Sequence, residues 1–221
     1  MFKTNILPYD IYERHKKVGE LIGEADSVLD VGGQLNVLSL FCKAKKITVA
    51  NVSGSEERSD VEIKGNRLPF KENLFEVVSA IDVLEHIPLP KRQGFIKDLL
   101  RVAGKKVVMS FPIGTESHIE YEKKLQNVLS KKGLDVTYLN EHVKFGLPTL
   151  EEVKKITKNF RTKKFYSGDI TLNFILFNIF IFDPKIKYVR KIIYYLKMLF
   201  NLISNTLQYP ILSNKGYSKS I

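Results

Sequence analysis

Phe75–Ile81 reads Phe-Glu-Val-Val-Ser-Ala-Ile. The run is short for a helix and apolar at both alternating sets of positions. A strand of that kind is buried on both faces, which is the signature of a parallel sheet covered by helices on either side. Such a strand has no stable existence alone, so neighbours of the same kind must flank it in the sequence.

They do. Residues 27–31, 46–52 and 61–64 read as strands, and 106–111 as another, closed by Pro112. Helical spacing fills the gaps at 9–24, 36–43 and 90–103, with Phe95, Leu99 and Val102 along one side of the last. Alternating strand and helix predicts an α/β sheet with helices on both faces. Beyond Pro112 the rhythm loosens. Residues 116–132 are charged and helical, and Thr149 is a good N-cap for a helix over 150–159. Residues 163–170 read as a sixth strand and 209–214 as a last one. Between them lie the apolar run Leu172–Phe182 and a long helix opened by Asp183-Pro184. The stripe Ile186, Val189, Ile193, Leu196, Phe200, Ile203 and Leu207 marks that helix. The expectation is one domain over 1–221, with 172–207 as a helical insertion or lid before the last strand.

Charge divides the chain. Residues 1–110 carry 17 Lys/Arg against 15 Asp/Glu, and residues 111–221 carry 18 against 9. The basic half admits an anionic membrane surface as a partner. No basic stripe interleaved with aromatic residues accompanies it, so nucleic acid is not expected. The longest apolar run, 11 residues, falls short of the roughly 20 that span a bilayer. Acidic and basic residues at 10, 13 and 14 come too early for a signal peptide. Cys42, read as a small hydrophobe on the first crossover helix, is the only cysteine, so no intrachain disulfide forms. A cytoplasmic location, with membrane contact at most peripheral, is expected. Four His and one Cys show no ligand spacing, so no metal is expected. Nothing sets the oligomeric state.

In an open α/β sheet, ligands sit beyond the carboxyl ends of the strands. Three places qualify here. Asp30, Gly32 and Gly33 end the first strand, with Gln34 and Asn36 following. No G-x-G-x-x-G and no phosphate loop is present, so the turn is not built for a pyrophosphate. Asp82, Glu85 and His86 follow the Phe75–Ile81 strand, either as chemistry or as caps of the next helix. Glu141-His142 lies in an expected loop that could carry a general base over the pocket, and His118 is a third histidine candidate.

The sequence "VLDVGGQLNVLS" resembles motif I of the class I S-adenosylmethionine-dependent methyltransferases. "RLPFKENLFEVVSAIDVLEHIP" (67–88) resembles the methyltransferase type 11 group more specifically, as do "LLRVAGKKVVMSFP" (99–112) and "LNEHVKFGLPTLEEV" (139–153). The resemblance covers roughly residues 20–170. It implies a Rossmann-like sheet of seven strands, mostly parallel, with the last antiparallel. It implies S-adenosylmethionine as cofactor, held by Asp30, Gly32, Gly33, Gln34, Asn51, Gly65, Asn66, Leu68, Ile81 and Asp82. It places Asp82, Glu85 and His142 toward a small or lipid-linked methyl acceptor. The family's glycines are replaced at Gln34 and Asn36, and its ribose-gripping acid at Asn51. Those replacements motivate the other reading, a methyltransferase-like binding or scaffold domain without catalysis.

Overall fold

The structure, a computed structural model, describes residues 2–55, 57–166 and 170–212. In chain order the elements are α1 (Phe2–Asn5), α2 (Tyr9–Ile22), β1 (Glu24–Val31), a 3-10 turn (Leu38–Leu40) and β2 (Lys43–Val52). Next come β3 (Val61–Ile63), β4 (Phe75–Ile81), a second 3-10 turn (Leu84–His86), α3 (Leu89–Val102) and β5 (Ala103–Ser110). The remainder is helical: α4 (Glu116–Lys131), α5 (Thr137–Phe145), α6 (Leu150–Ile156), α7 (Ile170–Phe180) and α8 (Lys187–Leu212). The chain divides into two compact units: residues 18–162, and the segments before and after them.

The 18–162 unit is built on one sheet of five parallel strands, ordered β3-β2-β1-β4-β5. The chain works outward from β1 to β3, then returns to place β4 on the other side of β1. Strand order therefore reverses between β1 and β4. Period-two alternation sorts the core. Leu29, Val31, Val78 and Ala80 meet Leu99 and Val102 of α3 on one face. Val28, Val77 and Ile81 meet Val18 and Ile22, at the end of α2, on the other. Each such buried Val, Leu or Ile side chain contributes about 1.5–3 kcal/mol. Pairing sets Asp30 between Val49 and Ser79, so two polar residues share a position inside an otherwise apolar layer.

Several expectations are corrected. The sheet has five strands among the described residues, not seven. Residues 161–166 have no regular structure, 167–169 lie outside the described residues, and Ile170 already opens α7. Residues 209–212 continue α8, and 213–214 lie outside the described residues. The 3–4 apolar spacing up to Leu207 simply runs on as helix. The helix expected over 36–43 reduces to the Leu38–Leu40 turn. Asn36 has φ +68, a left-handed backbone that a right-handed helix cannot incorporate, and β2 starts as early as Lys43. Cys42 accordingly sits in the turn before β2, half-buried. Glu141-His142, expected in a loop, lies within α5.

The second unit contains α1, α7 and α8. Asn201 Nδ2 donates to the Ile6 carbonyl at 3.0 Å, and Asn205 Nδ2 donates to the Asn5 and Leu7 carbonyls at 2.8 Å each. Small polar residues, Asn201, Ser204 and Asn205, are thus the buried side of α8, while Leu196, Ile203 and Leu207 of the apolar stripe are exposed. Among the described residues, no helix is long and apolar enough to cross a membrane.

Candidate active site

β1 ends in a buried carboxylate. The Ser79 hydroxyl donates to Asp30 Oδ1 at 2.7 Å across the β1–β4 pairing. Asp30 Oδ2 has no hydrogen-bond partner among the described residues. Burial pushes the Asp30 carboxyl up to about 6, against the pull of the Ser79 hydrogen bond. That free oxygen faces Gly33, where an added Cβ would lie 2.0 Å from it. Gly32 has φ +77, and a Cβ there would lie 2.4 Å from Val83 Cγ2. Both glycines are therefore demanded by the protein's own packing, and a branched side chain at Gly32 would disturb the fold as well as the site.

β2 braces the same loop. Asn51, buried at its carboxyl end, donates from Nδ2 to the Gly33 carbonyl at 3.1 Å and to the Glu57 carbonyl at 3.5 Å. Gln34 Nε2 donates to Glu57 Oε1 at 2.7 Å on the surface. Gly65 and Asn66 are exposed past the end of β3, while Leu68 is buried. α3 pins this stretch. The Leu68 N–H donates to Asp98 Oδ2, and Arg101 donates to the Leu68 and Phe70 carbonyls at 3.0 and 2.6 Å. Ile81 is buried at the end of β4. Asp82 follows with φ +53, a left-handed conformation uncommon for a residue with a side chain.

The other candidates converge beyond β4. His86, in the 3-10 turn, shares a hydrogen bond from Nδ1 with Glu141 Oε2 at 2.7 Å. His142 shares one from Nδ1 with Glu122 Oε1 at 2.8 Å. The two Nε2 atoms face each other at 3.4 Å. His118 Nε2 stands 3.6 Å from Glu122. Glu85, Glu122 and His142 are buried. Burial lowers the His86 imidazole, opposed by its bond to Glu141. Burial alone would raise Glu122, but His118 and His142 together hold it below its ordinary value.

This arrangement depends on a residue that is not among the sequence-based candidates. Arg92, fully buried on α3, donates to the Ile87 carbonyl at 2.9 Å, to Glu152 Oε2 at 3.1 Å, to the Phe145 carbonyl at 3.2 Å and to the Gly146 carbonyl. It ties the C-terminal end of α5 to the turn that carries His86. One signal was present: an arginine at a core position of α3, in register with Ile96, Leu99 and Val102. The structure thus gathers Asp30, Gly32, Gly33, Gln34 and Asn51 around one loop. It gathers Glu85, Glu122 and Glu141 around the His86–His142 pair, with His118 beside Glu122.

No protein-family profile matches the sequence, and no curated protein matches it. Solved structures do. The plantazolicin methyltransferase BpumL, in complex with a monoazolic desmethylPZN analog and SAH, is 14% identical over 93% of this chain and 81% of that one, with TM-score 0.52. The magnesium protoporphyrin IX methyltransferase of Synechocystis PCC 6803, with bound SAH, is 14% identical over 72% and 80%, with TM-score 0.47. The Haemonchus contortus phosphoethanolamine N-methyltransferase 2, in complex with S-adenosyl-L-methionine, is 19% identical over 92% of this chain and 49% of that one, with TM-score 0.47. The match to BpumL spans nearly the whole chain, and at that identity what is shared is the fold: this chain has a Rossmann-like α/β fold, as that methyltransferase has.

Proposed function

We propose that the 18–162 unit binds S-adenosylmethionine at the carboxyl ends of β1, β2 and β4 and transfers its methyl group to a small or lipid-linked acceptor. The observation that carries this reading is Asp30. A buried carboxylate with one unpartnered oxygen is costly to keep unless a ligand meets it. It lies where the strand order reverses, on a loop with neither phosphate motif. A cationic, phosphate-free ligand fits, and S-adenosylmethionine carries both a sulfonium and an ammonium group.

In this reading Asp30 orients the loop and reaches the methionine part through water. Gly32, Gly33 and Gln34 let the backbone approach it. The Asn51 amide nitrogen is committed to carbonyls of the loop, so its carbonyl oxygen is the atom that accepts from a ribose hydroxyl. Gly65, Asn66, Leu68, Ile81 and Asp82 border the adenosine. Methyl transfer from a sulfonium needs in-line alignment more than acid–base work. Asp82, Glu85 and His142 border the acceptor, and a basic group beside it receives its proton where one must leave. A lipid-linked acceptor suits the exposed apolar residues of α8 beside Lys187, Arg190 and Lys191.

Calorimetric titration with S-adenosylmethionine and with S-adenosylhomocysteine tests the reading. Saturable binding to wild type, lost in Asp30→Ala with the circular dichroism unchanged, is expected. No heat at millimolar ligand overturns it in favour of a non-catalytic scaffold.

A further inference from the structure

Glutamate side chains hold the Nδ1 atoms of both His86 and His142, at 2.7 and 2.8 Å. An ionised carboxylate only accepts, so each Nδ1 carries a proton, and in the neutral imidazole Nε2 is then the lone-pair atom. Those two lone-pair atoms face each other at 3.4 Å. Two acceptors at that distance repel unless something positive lies between them. On a tetrahedral zinc ion with Zn–N bonds of about 2.05 Å, two imidazole nitrogens stand roughly 3.3 Å apart. The Glu85 carboxylate is close by: one oxygen of Glu85 and one ring nitrogen of each histidine all lie within 4.8 Å of one another.

The geometry points to a divalent transition-metal site, with His86 Nε2, His142 Nε2 and Glu85 as ligands. Glu141 and Glu122 are its outer shell, each fixing the tautomer and the ring orientation of one ligand. Two imidazoles and one carboxylate suit zinc, or the other first-row divalent ions that favour nitrogen and oxygen. The sequence shows no ligand spacing because Glu85-His86 and His142 come from different elements, 56 residues apart between the histidines. Arg92 is what sets α5 against the 3-10 turn and so brings the two rings together. Three protein ligands leave a fourth position for water or an oxygen atom of an incoming molecule.

The test uses the purified full chain, stripped with a chelator and dialysed. Titration with Zn2+, followed by elemental analysis after desalting, is expected to give one equivalent per chain. Co2+ in its place is expected to give the visible absorption of a tetrahedral site. His86→Gln and His142→Gln should each lose the equivalent, Glu141→Gln should weaken it about 10- to 100-fold, and His15→Gln should leave it unchanged. His142 is buried, so His86→Gln, in a half-exposed position, keeps the test meaningful should the former fail to fold. Stoichiometry far below one in wild type, or an unchanged equivalent in folded His86→Gln, overturns the site. None of these readouts requires S-adenosylmethionine, so failure of the metal site and failure of cofactor binding are separately visible.

Discussion

Asp30→Asn isolates the cost of the buried carboxylate. The folded protein raises the Asp30 carboxyl from 3.8 to about 6. At about 1.36 kcal/mol per unit, that shift is worth roughly 3 kcal/mol. The sign follows from proton uptake. Between about pH 4 and pH 6 the folded state holds a proton that the unfolded state has released, so stability falls as pH rises through that window. Below it the contribution is intact, and above it the loss is complete. Asparagine keeps an oxygen to accept from Ser79. It replaces the unpartnered Oδ2 with an amide nitrogen, a fixed cost of about 1–3 kcal/mol at every pH.

The variant's stability relative to wild type should therefore improve by about 3 kcal/mol between pH 4 and pH 7. Urea unfolding followed by circular dichroism at a series of pH values measures this. The other carboxylates titrate in both proteins and cancel in the difference. Parallel stability–pH curves would refute the argument, because they would mean that Asp30 is not held protonated by burial. The same variant should bind S-adenosylmethionine less well, giving up function for stability.

Asn51→Asp puts a carboxylate where an amide nitrogen donates to the Gly33 and Glu57 carbonyls, so it should weaken cofactor binding rather than strengthen it, as a titration will show. Gly33→Ala should do the same and lower the melting temperature, since its Cβ falls on the Asp30 carboxylate. Arg92→Met should cost about 3–5 kcal/mol in denaturant unfolding, because it strands Glu152 and the Ile87, Phe145 and Gly146 carbonyls. The wild type should co-sediment with anionic vesicles at low salt and be released at high salt, with Lys187, Arg190 and Lys191 replaced by Glu abolishing the effect.

What could be read from the sequence follows from where the signal is local. β4 was legible to the residue because Phe75–Ile81 is apolar on both faces. β1 and β2 were found but cut short, because Glu24, Asp26, Lys43 and Lys45 make their solvent-side ends look like loops, although Lys45 and Asp26 pair there at 2.7 Å. α5 is hidden in the sequence because its nine residues are too few to establish a helical period. Yet its start is marked by Asp135 Oδ1, which accepts from the Thr137 N–H at 2.9 Å, and its end by Gly146. Asp30, Gly32 and Gly33 stand out in the sequence as ligand-facing, and the structure adds that Gly33 is also required by the Asp30 carboxylate and Gly32 by Val83. The histidine cluster could not be read as a unit, since its members come from the 3-10 turn, α4 and α5.

α3 is the element that unites these observations. Its apolar face, Ile96, Leu99 and Val102, is buried under the sheet. Near its N-terminal end Arg92 holds α5 and the His86 turn. Toward its C-terminal end Asp98 and Arg101 hold the backbone of Leu68–Phe70, and Arg101 Nε donates to Asp98 Oδ1 at 2.7 Å to fix both. The loop proposed to border adenosine and the cluster proposed to border the acceptor thus share one rigid support. Such a support positions two half-sites without any residue of its own meeting a ligand. The Leu-Pro-Phe stretch and the Arg-Val at the end of α3 are therefore parts of one device, since Arg101 of the second motif bonds to Leu68 and Phe70 of the first.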